Sequence, residues 1–523
     1  MLRIFVLLLI IPCYSIAQDD KNEGVYQPIN DFIEGTTYNY PEKILNAFLP
    51  GTNMFLYNDA DTLMVYSVEK YASLYNNGRR GQQNQRFSTL ISLDVVENVA
   101  YAKLEVDIPS FSRRYYDLLL LKKIGTDWKI VSKCTDAIPI PKTPQEAKPH
   151  PVKEVILEGL KKPWSMAFIN ENEIIIVEKD GGLIKSNLQS GERIAIRGLP
   201  TDIAQAVMID TSKHVWGTFP PSAHGTSQTY NAGLFQILLD PDFENNQFIY
   251  LSYAAENSQR ASAVKVIKAR LNDDQLSNMT TLFEGGVYSH GLFHYGGGMI
   301  IGPDEKLYIT LGERNLFEQN NPPLPLSQDL KDKRGKVIRI NLDGTIPSDN
   351  PDFGPNAIKG LFALGIRASQ GLAVQPETGE IWFSEHGTLQ GDEINKLKAG
   401  ANYGWPYKTS GRYRTADYAP EFSEGLTFED PVHFWDQTVA PTGLTFYKGR
   451  EFPQWKGNLI VPGLSKGSLW RLELDNDKVV AAEELFINDR VRLRKAILSP
   501  RGYLYVLTDE ENGKLIKVKN STN

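Results

Sequence analysis

The residues best suited to chemistry lie in a few short segments rich in histidine, arginine and glycine. One segment reads His290-Gly-Leu-Phe-His-Tyr-Gly-Gly-Gly298. A histidine side chain changes charge near neutral pH, so His294 could act as a general base. The three glycines could let the backbone approach a ligand closely, although a glycine-rich turn with a surface histidine explains the same residues.

A second segment, Arg490-Val-Arg-Leu-Arg494, carries arginines at alternate positions. In a β-strand this spacing places the three guanidinium groups on one face, where they could bind carboxylates in a bidentate manner. A solvated strand face is the alternative interpretation. Arg367, in a segment that begins at Leu364 and ends at Gly371, is a further candidate for anion binding.

Carboxylate and amide side chains are concentrated near glycines in the segments 384–395 and 402–406. Oxygen ligands of this kind suit a hard cation such as calcium, although the spacing is not that of an EF-hand and turn formation explains part of it. The sequence contains no Walker A loop, no Gly-x-Ser-x-Gly elbow, no His-Glu-x-x-His and no Rossmann fingerprint.

A repeated pattern must position these segments. A hydrophobic strand, a turn and a second strand recur six times, with starts about 66 residues apart on average, which leaves room for a four-stranded blade and its loops. The copies begin at Met166, Ile237, Met299, Leu372, Leu444 and Ile497. The pattern predicts an all-β, six-bladed β-propeller over residues 154–521, with functional loops at one mouth of its channel. A solenoid is the alternative.

Residues 20–138 show a different pattern of apolar and polar residues from the repeats. Apolar residues at helical spacing between Ile29 and Leu49, a helix over 65–75 and four alternating strands predict a small α+β cone over residues 20–138. Residues 139–153 follow, with five prolines between Pro139 and Pro151. Such a stretch is typical of an extended, semi-rigid linker.

Composition narrows the classes of function. Of 523 residues, 41% are hydrophobic and 23% are charged, which excludes disorder for most of the chain. The formal net charge is −7, so nucleic acid is not expected as a partner.

Residues 1–17 resemble a secretory signal peptide, with Arg3 before an apolar run and Ser15-Ile-Ala17 as the cleavage site. The apolar run is too short to span a bilayer, and no later segment qualifies. We expect a secreted or periplasmic protein. Acylation of Cys13 is disfavoured because bulky residues precede it. Only Cys134 then remains, so no internal disulfide is expected.

Taken together and in this order, the segments resemble the pyrroloquinoline quinone-dependent aldose sugar dehydrogenases, the glucose/sorbosone dehydrogenase family. The resemblance covers roughly residues 154–521. It rests on Pro163-Trp-Ser-Met-Ala-Phe, Gly233-Leu-Phe, Asp240-Pro-Asp-Phe, His294-Tyr-Gly-Gly, Leu364-Gly-Ile-Arg, Gln370-Gly-Leu-Ala, Glu385-His-Gly, Gly391-Asp-Glu-Ile-Asn, Asn402-Tyr-Gly-Trp-Pro, Val439-Ala-Pro and Arg492-Leu-Arg.

The resemblance implies the oxidation of an aldose at its anomeric carbon, with pyrroloquinoline quinone and Ca²⁺ as cofactors and an external electron acceptor. His294 matches the family's base. The residues that match contacts to the quinone are Asn231, Arg367, Lys466 (or Ser465), Arg492 and Arg494. The residues that match calcium sites are Gly387 and Thr388, through their carbonyls, and Glu393 with Tyr403.

The sequence also departs from the family pattern. Ala368-Ser369 stands where the family has Asn-Pro, Gly298 replaces an arginine, Asn231 replaces a glutamine and Thr388 replaces a proline. Each lost contact would cost about 1–3 kcal/mol of cofactor affinity. Two alternatives therefore stay open: a catalytically inactive propeller that binds carbohydrate or protein, and a calcium-dependent lactonase. The lactonase would use Asp392, Glu393 and Asn395.

The first region resembles the lumazine-binding, SnoaL-like group, which has the cone of nuclear transport factor 2. The resemblance covers residues 27–136 and rests on Ile33-Glu-Gly-Thr, Pro41-Glu-Lys, Phe48-Leu-Pro, Tyr115-Tyr-Asp-Leu-Leu-Leu-Leu-Lys and Trp128-Lys-Ile-Val-Ser-Lys. It implies a scaffold or a dimerisation module as readily as a ligand-binding domain. The sequence leaves the oligomeric state open.

Overall fold

A computed structural model describes most of the chain. The described residues are 23–57, 63–76, 78–140, 149–204, 208–210, 227–229, 231–259, 261–286, 288, 293–314, 325–413, 424–465, 467–475 and 477–521. The described residues up to Ile140 form one compact unit, and those from residue 149 on, apart from Ser227, form a second. The expected signal peptide, residues 1–17, lies outside the described residues. None of the described helices is long and apolar enough to cross a membrane.

The first unit combines three helices with one six-stranded sheet. The helices are α1 (Tyr26–Thr37), α2 (Pro41–Ala47) and α3 (Val68–Ser73). The strands are β1 (Asn53–Leu56), β2 (Met64–Ser67), β3 (Phe87–Val96), β4 (Val99–Ile108), β5 (Arg113–Ile124) and β6 (Asp127–Pro139). Their order in the sheet is β2-β1-β6-β5-β4-β3, and only β1 and β6 run parallel. The expected α+β composition is therefore confirmed.

One helix boundary differs from the sequence prediction. Val65 does not begin a helix, because Met64–Ser67 pairs with β1 as a strand. The helix starts after Ser67, whose side chain accepts a hydrogen bond from the Lys70 N–H at 3.3 Å. A serine in this position satisfies a donor that the first turn of a helix leaves without a partner. Capping by Ser67 therefore sets the start of α3 at Val68, three residues after the start at Val65 that hydrophobic spacing predicts.

The second unit contains six four-stranded antiparallel sheets. The first three sheets consist of β8 (Pro163–Phe168), β9 (Glu173–Glu178), β10 (Gly182–Asn187) and β11 (Arg193–Ala195); β14 (Leu234–Leu239), β15 (Phe248–Glu256), β16 (Ser262–Asn272) and β17 (Gln275–Glu284); and β18 (Gly296–Ile301), β19 (Lys306–Leu311), β20 (Lys336–Asn341) and β21 (Leu361–Leu364). A short helix, α4 (Phe243–Asn246), joins β14 to β15, and β12 (Met208–Asp210) pairs with β13 (Ser227–Thr229).

The other three sheets complete the set. They consist of β22 (Ser369–Val374), β23 (Ile381–Glu385), β24 (Asp392–Lys396) and β25 (His433–Trp435); β26 (Thr445–Phe446), β27 (Leu459–Pro462), β28 (Leu469–Asp475) and β29 (Lys478–Leu485); and β30 (Leu493–Leu498), β31 (Leu504–Thr508), β32 (Gly513–Asn520) and β7 (Pro151–Leu160). Each of the six sequence repeats corresponds to the first hairpin of one sheet.

The first strands of successive sheets lie side by side. The Ile237 N–H of β14 donates to Ser165 Oγ of β8 at 3.0 Å, and Gly443 forms a parallel bridge with Lys495 of β30. The first strand of the sixth sheet, β30, lies beside β8, the first strand of the first sheet. The six first strands therefore form a closed ring. The sixth sheet also joins the two ends of the unit, because Leu515 of β32 pairs with Leu157 of β7.

Strand β7 accommodates a proline because it lies at the edge of its sheet. Pro151 is its first residue, and β7 pairs only with β32. A proline lacks the N–H that a second neighbouring strand would need, so an edge position is the one that tolerates it. The predicted linker, residues 139–153, is therefore too long: Pro139 ends β6, and residues 151–153 belong to β7 and pair with β32. Residues 141–148 lie outside the described residues, and a linker over them stays a prediction.

We expect the pairing of β7 with β32 to stabilise the whole second unit. Leu157 is buried with 4% of its surface exposed, whereas Val155, on the same strand, is 45% exposed. Leu157→Ala should lower the free energy of unfolding by about 2–5 kcal/mol, because it leaves a cavity. Val155→Ala should change it by less than about 1 kcal/mol.

Tryptophan fluorescence during urea unfolding measures this difference, because Trp128 is the only one of the eight tryptophans that precedes residue 141. Equal effects of the two variants would show that β7 does not close the unit.

Candidate active site

Charged residues of the second unit converge at one edge of its sheets. In an antiparallel hairpin the start of the first strand lies beside the end of the second. His294 and Arg367 immediately precede first strands, and Arg494 lies at the start of another. The residues that follow the second strands are Lys179, Glu313, His386 and Asp509. The ring of first strands therefore brings these loops to a common rim.

Register shifts help to aim the side chains at this rim. A β-bulge interrupts the first hairpin near its open end in five of the six sheets. Two of these bulges lie at Ser369/Gly371 and at Leu493/Lys495. A bulge re-aims the side chain next to it, which explains why Arg494 does not follow the alternation of a regular strand.

His294 forms a close pair with Glu313. The His294 Nδ1 atom lies 2.7 Å from Glu313 Oε1, and only 15% and 3% of the two side chains are exposed. An ionised carboxylate only accepts hydrogen bonds, so Nδ1 carries the proton and Nε2 keeps the basic lone pair. The Glu313 N–H donates to the Arg367 carbonyl at 2.9 Å, which ties this pair to the next sheet.

The glycines after His294 serve packing against protein. A Cβ atom on Gly297 would overlap the ring of Phe235, and one on Gly298 would lie 2.9 Å from the Gln370 carbonyl oxygen. Both glycines are buried within the ring of first strands. The idea that they open the backbone to a ligand is therefore replaced by a packing role.

Arg492 and Arg494 meet at one carboxylate. Asp509 Oδ2 lies 2.7 Å from Arg492 Nη2 and 3.0 Å from Arg494 Nη2. Arg494 is buried and also donates to Gln370 Oε1, whereas half of the Arg492 side chain is exposed. Burial would raise the pKa of Asp509, but the charges of Arg494 and Arg492 outweigh it and hold that pKa well below its usual range.

The prediction of a three-arginine strand face is wrong for Arg490. Strand β30 begins only at Leu493, and Arg490 has a left-handed backbone with φ of +48°. The period of two therefore does not extend back to this residue. Arg492 and Arg494 converge because both contact Asp509, not because they share a strand face.

Lys179 is a site residue that sequence reasoning missed. Its Nζ atom donates to Asn231 Oδ1, which places Asn231 beside the arginine cluster. Burial and, to a smaller extent, the charge of Arg494 lower the pKa of Lys179 to about 8, although Asp509 opposes the shift. The signal was available: Lys179, Glu313, His386 and Asp509 all follow the second strand of a repeat.

The surroundings of His386 show that His294, Arg367 and Arg494 lie near one another. Its Nε2 atom lies 2.9 Å from the Pro441 carbonyl oxygen, so Nε2 carries a proton. Burial lowers the pKa of His386 to about 4 with smaller contributions from Arg367, Arg494 and the protonated form of His294, although Asp392 opposes the shift. The three cationic candidates therefore lie within electrostatic range of one neutral imidazole.

Arg367 is held between an aromatic ring and a carbonyl. It is 3% exposed, its Nη1 donates to the His386 carbonyl at 3.3 Å, and its guanidinium carbon lies 5.1 Å from the centre of the Trp405 ring. Its backbone N–H donates to Glu385 Oε1. A guanidinium group that packs against an indole ring suits an arginine that recognises an anion.

The buried Glu385 and the partly buried Glu393 face each other next to Arg367. Glu385 of β23 and Glu393 of β24 are directly opposed in register. Burial raises the pKa of both carboxyl groups, and for Glu385 the charge of Glu393 adds to the shift. Among the described residues, Glu385 Oε2 and the nearby Thr388 Oγ1 are buried without a hydrogen-bond partner. Such a pair favours a bound cation or a proton.

The remaining calcium candidates contribute differently. The Gly387 N–H donates to Asp392 Oδ1 at 2.7 Å, which fixes the loop that holds Thr388. The Tyr403 hydroxyl donates to the Lys396 carbonyl and accepts from the Lys398 N–H at 2.9 Å, so it is already occupied by backbone. No group of three or more His, Cys, Asp and Glu side chains with metal-site geometry occurs among the described residues. A calcium ion here would rely on carbonyl oxygens.

Asp392, one of the three residues expected to form a lactonase site, has backbone groups as its hydrogen-bond partners. Asp392 Oδ2 accepts the N–H groups of Val439 and Ala440 at 2.7 Å each, in addition to the contact with Gly387. Asn395 donates to Glu393 at 3.2 Å. Asp392 is thus used to position two loops rather than to face a substrate. Lys466, the expected cofactor lysine, lies outside the described residues.

Comparison with known proteins places this site in a family. Residues 160–517 match the family model "Glucose / Sorbosone dehydrogenase", and residues 20–135 match "Putative lumazine-binding". Aldose sugar dehydrogenase YliI of Escherichia coli is 32% identical over 372 residues, which are 70% of this chain and 92% of that protein. Quinoprotein glucose dehydrogenase B of Acinetobacter calcoaceticus is 28% identical over 432 residues, 68% and 85% of the two chains.

A solved structure is similar to the same part of this chain. The soluble aldose sugar dehydrogenase of Escherichia coli in its apo form has a TM-score of 0.61 at 30% identity, and the match covers 71% of this chain and 99% of that one. The first family model spans more than half of the 523 residues and contains every rim residue described above. The chain belongs to the glucose/sorbosone dehydrogenase family.

Proposed function

We propose that the second unit is a six-bladed β-propeller that oxidises aldose sugars with pyrroloquinoline quinone and calcium. Six four-stranded sheets whose first strands close into a ring support the propeller. The names of the relatives support sugar oxidation by a quinoprotein. The observation that carries the proposal is the His294–Glu313 pair, at 2.7 Å, on the same rim as the buried guanidinium groups of Arg367 and Arg494.

The donor set of the rim fits a quinone that carries several carboxylates. Arg492 and Arg494 share the carboxylate of Asp509, and Lys179 lies within electrostatic range of the same group, so three cationic side chains gather around it. Arg367 adds a further guanidinium. Pyrroloquinoline quinone, when bound, supplies the acceptor for the hydride that leaves the sugar. Guanidinium groups bind carboxylates in bidentate geometry, which fixes the orientation of such a ligand.

Calcium would be held beside Arg367, where oxygen ligands are available. The carbonyls of Gly387 and Thr388 are the proposed ligands, and Glu393, with the neighbouring Glu385, supplies negative charge. The orphaned oxygens Glu385 Oε2 and Thr388 Oγ1 support a cation at this place. A divalent ion in this position supplies Lewis acidity. Glu393 and Tyr403 would form a further calcium site, to which Tyr403 would contribute its carbonyl, because backbone groups already occupy its hydroxyl.

His294 is the general base of the proposed reaction. Its Nε2 atom accepts the proton of the anomeric hydroxyl while the hydrogen on the anomeric carbon leaves as hydride, and the sugar becomes a lactone. Glu313 keeps the imidazole in the tautomer with a basic Nε2 and stabilises the imidazolium that forms. The low exposure of both side chains strengthens this attraction.

Three further parts of the proposal concern the rest of the chain. Residues 1–17 would direct export to the periplasm or outside the cell, where an external acceptor reoxidises the cofactor. Residues 20–138 would form a cone like that of nuclear transport factor 2. The part of the predicted linker that lies between β6 and β7 would join it to the propeller.

Dehydrogenase assays of the purified chain with added pyrroloquinoline quinone, calcium and a panel of aldoses test the central claim. His294→Ala should lower kcat by about 10²–10⁴-fold with cofactor affinity retained, because it removes the base. Glu313→Gln should lower kcat by a smaller factor, because it weakens the hold on the tautomer.

Glu305→Gln is the matched control. Glu305 is exposed at the opposite end of the same hairpin, so this variant should keep full activity. Absence of both dye reduction and cofactor binding would favour the inactive, ligand-binding propeller. Hydrolysis of lactones without cofactor would favour the lactonase. Full activity of His294→Ala would remove this residue as the base.

Cofactor affinity should depend on pH through Lys179. Its pKa of about 8 means that it is protonated at pH 7 and largely neutral at pH 9. Because only the protonated form attracts carboxylates, the affinity for the quinone should fall severalfold between these pH values. Arginine keeps its charge over this range, and Asp509, with its lowered pKa, stays ionised.

Fluorescence titration with the quinone measures this effect. Lys179→Met should bind about tenfold more weakly at pH 7 and should show a flatter pH profile. Lys185→Met, on β10 of the same sheet, should behave like the wild type. An unchanged pH profile in Lys179→Met would show that Lys179 does not contact the cofactor.

A further inference from the structure

The first unit contains a cavity of ligand size that the proposed sugar chemistry does not use. Its volume is about 550 Å³, within the range of roughly 300–1,000 Å³ that is typical of small-molecule sites. Leu74, Tyr75, Ile108 and Phe111 form its apolar wall. Leu74 and Phe111 are 54% and 66% exposed, so the cavity has an apolar rim open to solvent.

A buried cation lies in the polar wall of this cavity. Arg86 is only 8% exposed, and its Nη2 atom lies 3.2 Å from Asp117 Oδ2. The Arg86 Nε atom is buried and has no hydrogen-bond partner among the described residues. Arg86 therefore lines the cavity with a guanidinium group that the described residues do not fully satisfy.

The one carboxylate beside Arg86 is already shared. Lys133, 2% exposed, places its Nζ atom 2.6 Å from Asp117 Oδ1, and Thr135 donates to the same oxygen at 2.7 Å. Burial would raise the pKa of Asp117, but the charges of Lys133 and Arg86 hold it below its usual value. Two buried cations thus face a single ionised carboxylate.

The other buried carboxylates of this unit have different partners. Glu105 and Asp107 contact Arg114 at 3.5 Å and 2.7 Å. They lie on the opposite face of the sheet, since Asp117 pairs with Leu104, the residue before Glu105. Asp31 accepts hydrogen bonds from side-chain amides of α1 and α2. Among the described residues, no second buried carboxylate pairs with Arg86 or Lys133; their other charge-stabilising neighbours are the rings of Phe32 and Tyr71.

We propose that this cavity binds a small organic acid whose carboxylate pairs with Arg86 and whose apolar body lies against Tyr75, Ile108 and Phe111. A buried charge without a counter-ion is costly, and a ligand carboxylate would supply the missing one. An arginine also binds carboxylates through two parallel hydrogen bonds, which the donor at Nε permits. The first unit is therefore an acid-binding module, independent of the sugar site.

Isothermal titration calorimetry of the full chain with 2-naphthoate and its neutral analogue 2-naphthamide tests this proposal. The acid should bind at least tenfold more tightly than the amide. Equal affinities would overturn the proposal, as would the absence of binding by 2-naphthoate, indole-3-acetate and benzoate. Displacement of the acid by equimolar nitrate would show that any anion suffices and would overturn the organic-acid assignment.

Variants locate the site. Arg86→Gln should remove the preference for the acid, whereas Arg114→Gln, on the other face of the sheet, should keep it. Phe111→Ala changes an exposed side chain, so it should fold normally and bind the acid severalfold more weakly. Val96→Ala, on an equally exposed position of β3, should have no effect.

The second unit offers its own cations, and one more variant separates them. Arg494→Gln should leave the binding of 2-naphthoate unchanged. Loss of the acid preference in this variant would assign the binding to the second unit and would overturn the proposal. An unchanged affinity in both Arg86→Gln and Phe111→Ala would do the same.

Discussion

The closed ring of first strands is the constraint on which the site depends. Each first strand is hydrogen-bonded into its own sheet and also packed beside the first strand of the next. Because the loops at one end of these strands cannot move independently, residues far apart in sequence share one rim. The pairing of β7 with β32 keeps the ring closed by joining both ends of the unit in a single sheet. Site geometry and stability of the second unit therefore have a common origin.

The interior of the ring is unusually polar for a core. Lys495 is 6% exposed, its Nζ atom lies 3.3 Å from Gln236 Oε1, and burial lowers its pKa to about 8. A Cβ atom on Gly443 would overlap the Lys495 side chain, so the glycine makes room for it. The first strands thus carry polar groups inward all around the ring, and the rim cations extend this pattern.

Periodicity and spacing predicted much of this architecture. The six repeats located the first hairpin of every sheet, and His294, Arg367 and Arg494 do converge. Spacing could not reveal which side chains neutralise one another, so Glu313, Asp509 and Lys179 were missed. It also misjudged Arg490, where a left-handed residue precedes the strand, and the start of α3, where capping by Ser67 decides. Both errors arise where local backbone geometry overrides a periodic pattern.

One departure from the family pattern, Gly298, has a structural explanation. Gly298 stands where an arginine is usual, and its Cβ position faces the Gln370 carbonyl at 2.9 Å and Thr310 Oγ1 at 3.0 Å. No long side chain fits there without moving the strand that carries Gln370. Gln370 in turn accepts a hydrogen bond from Arg494. A side chain at position 298 would therefore disturb the residue that holds Arg494 in place, which gives a physical reason for a glycine here.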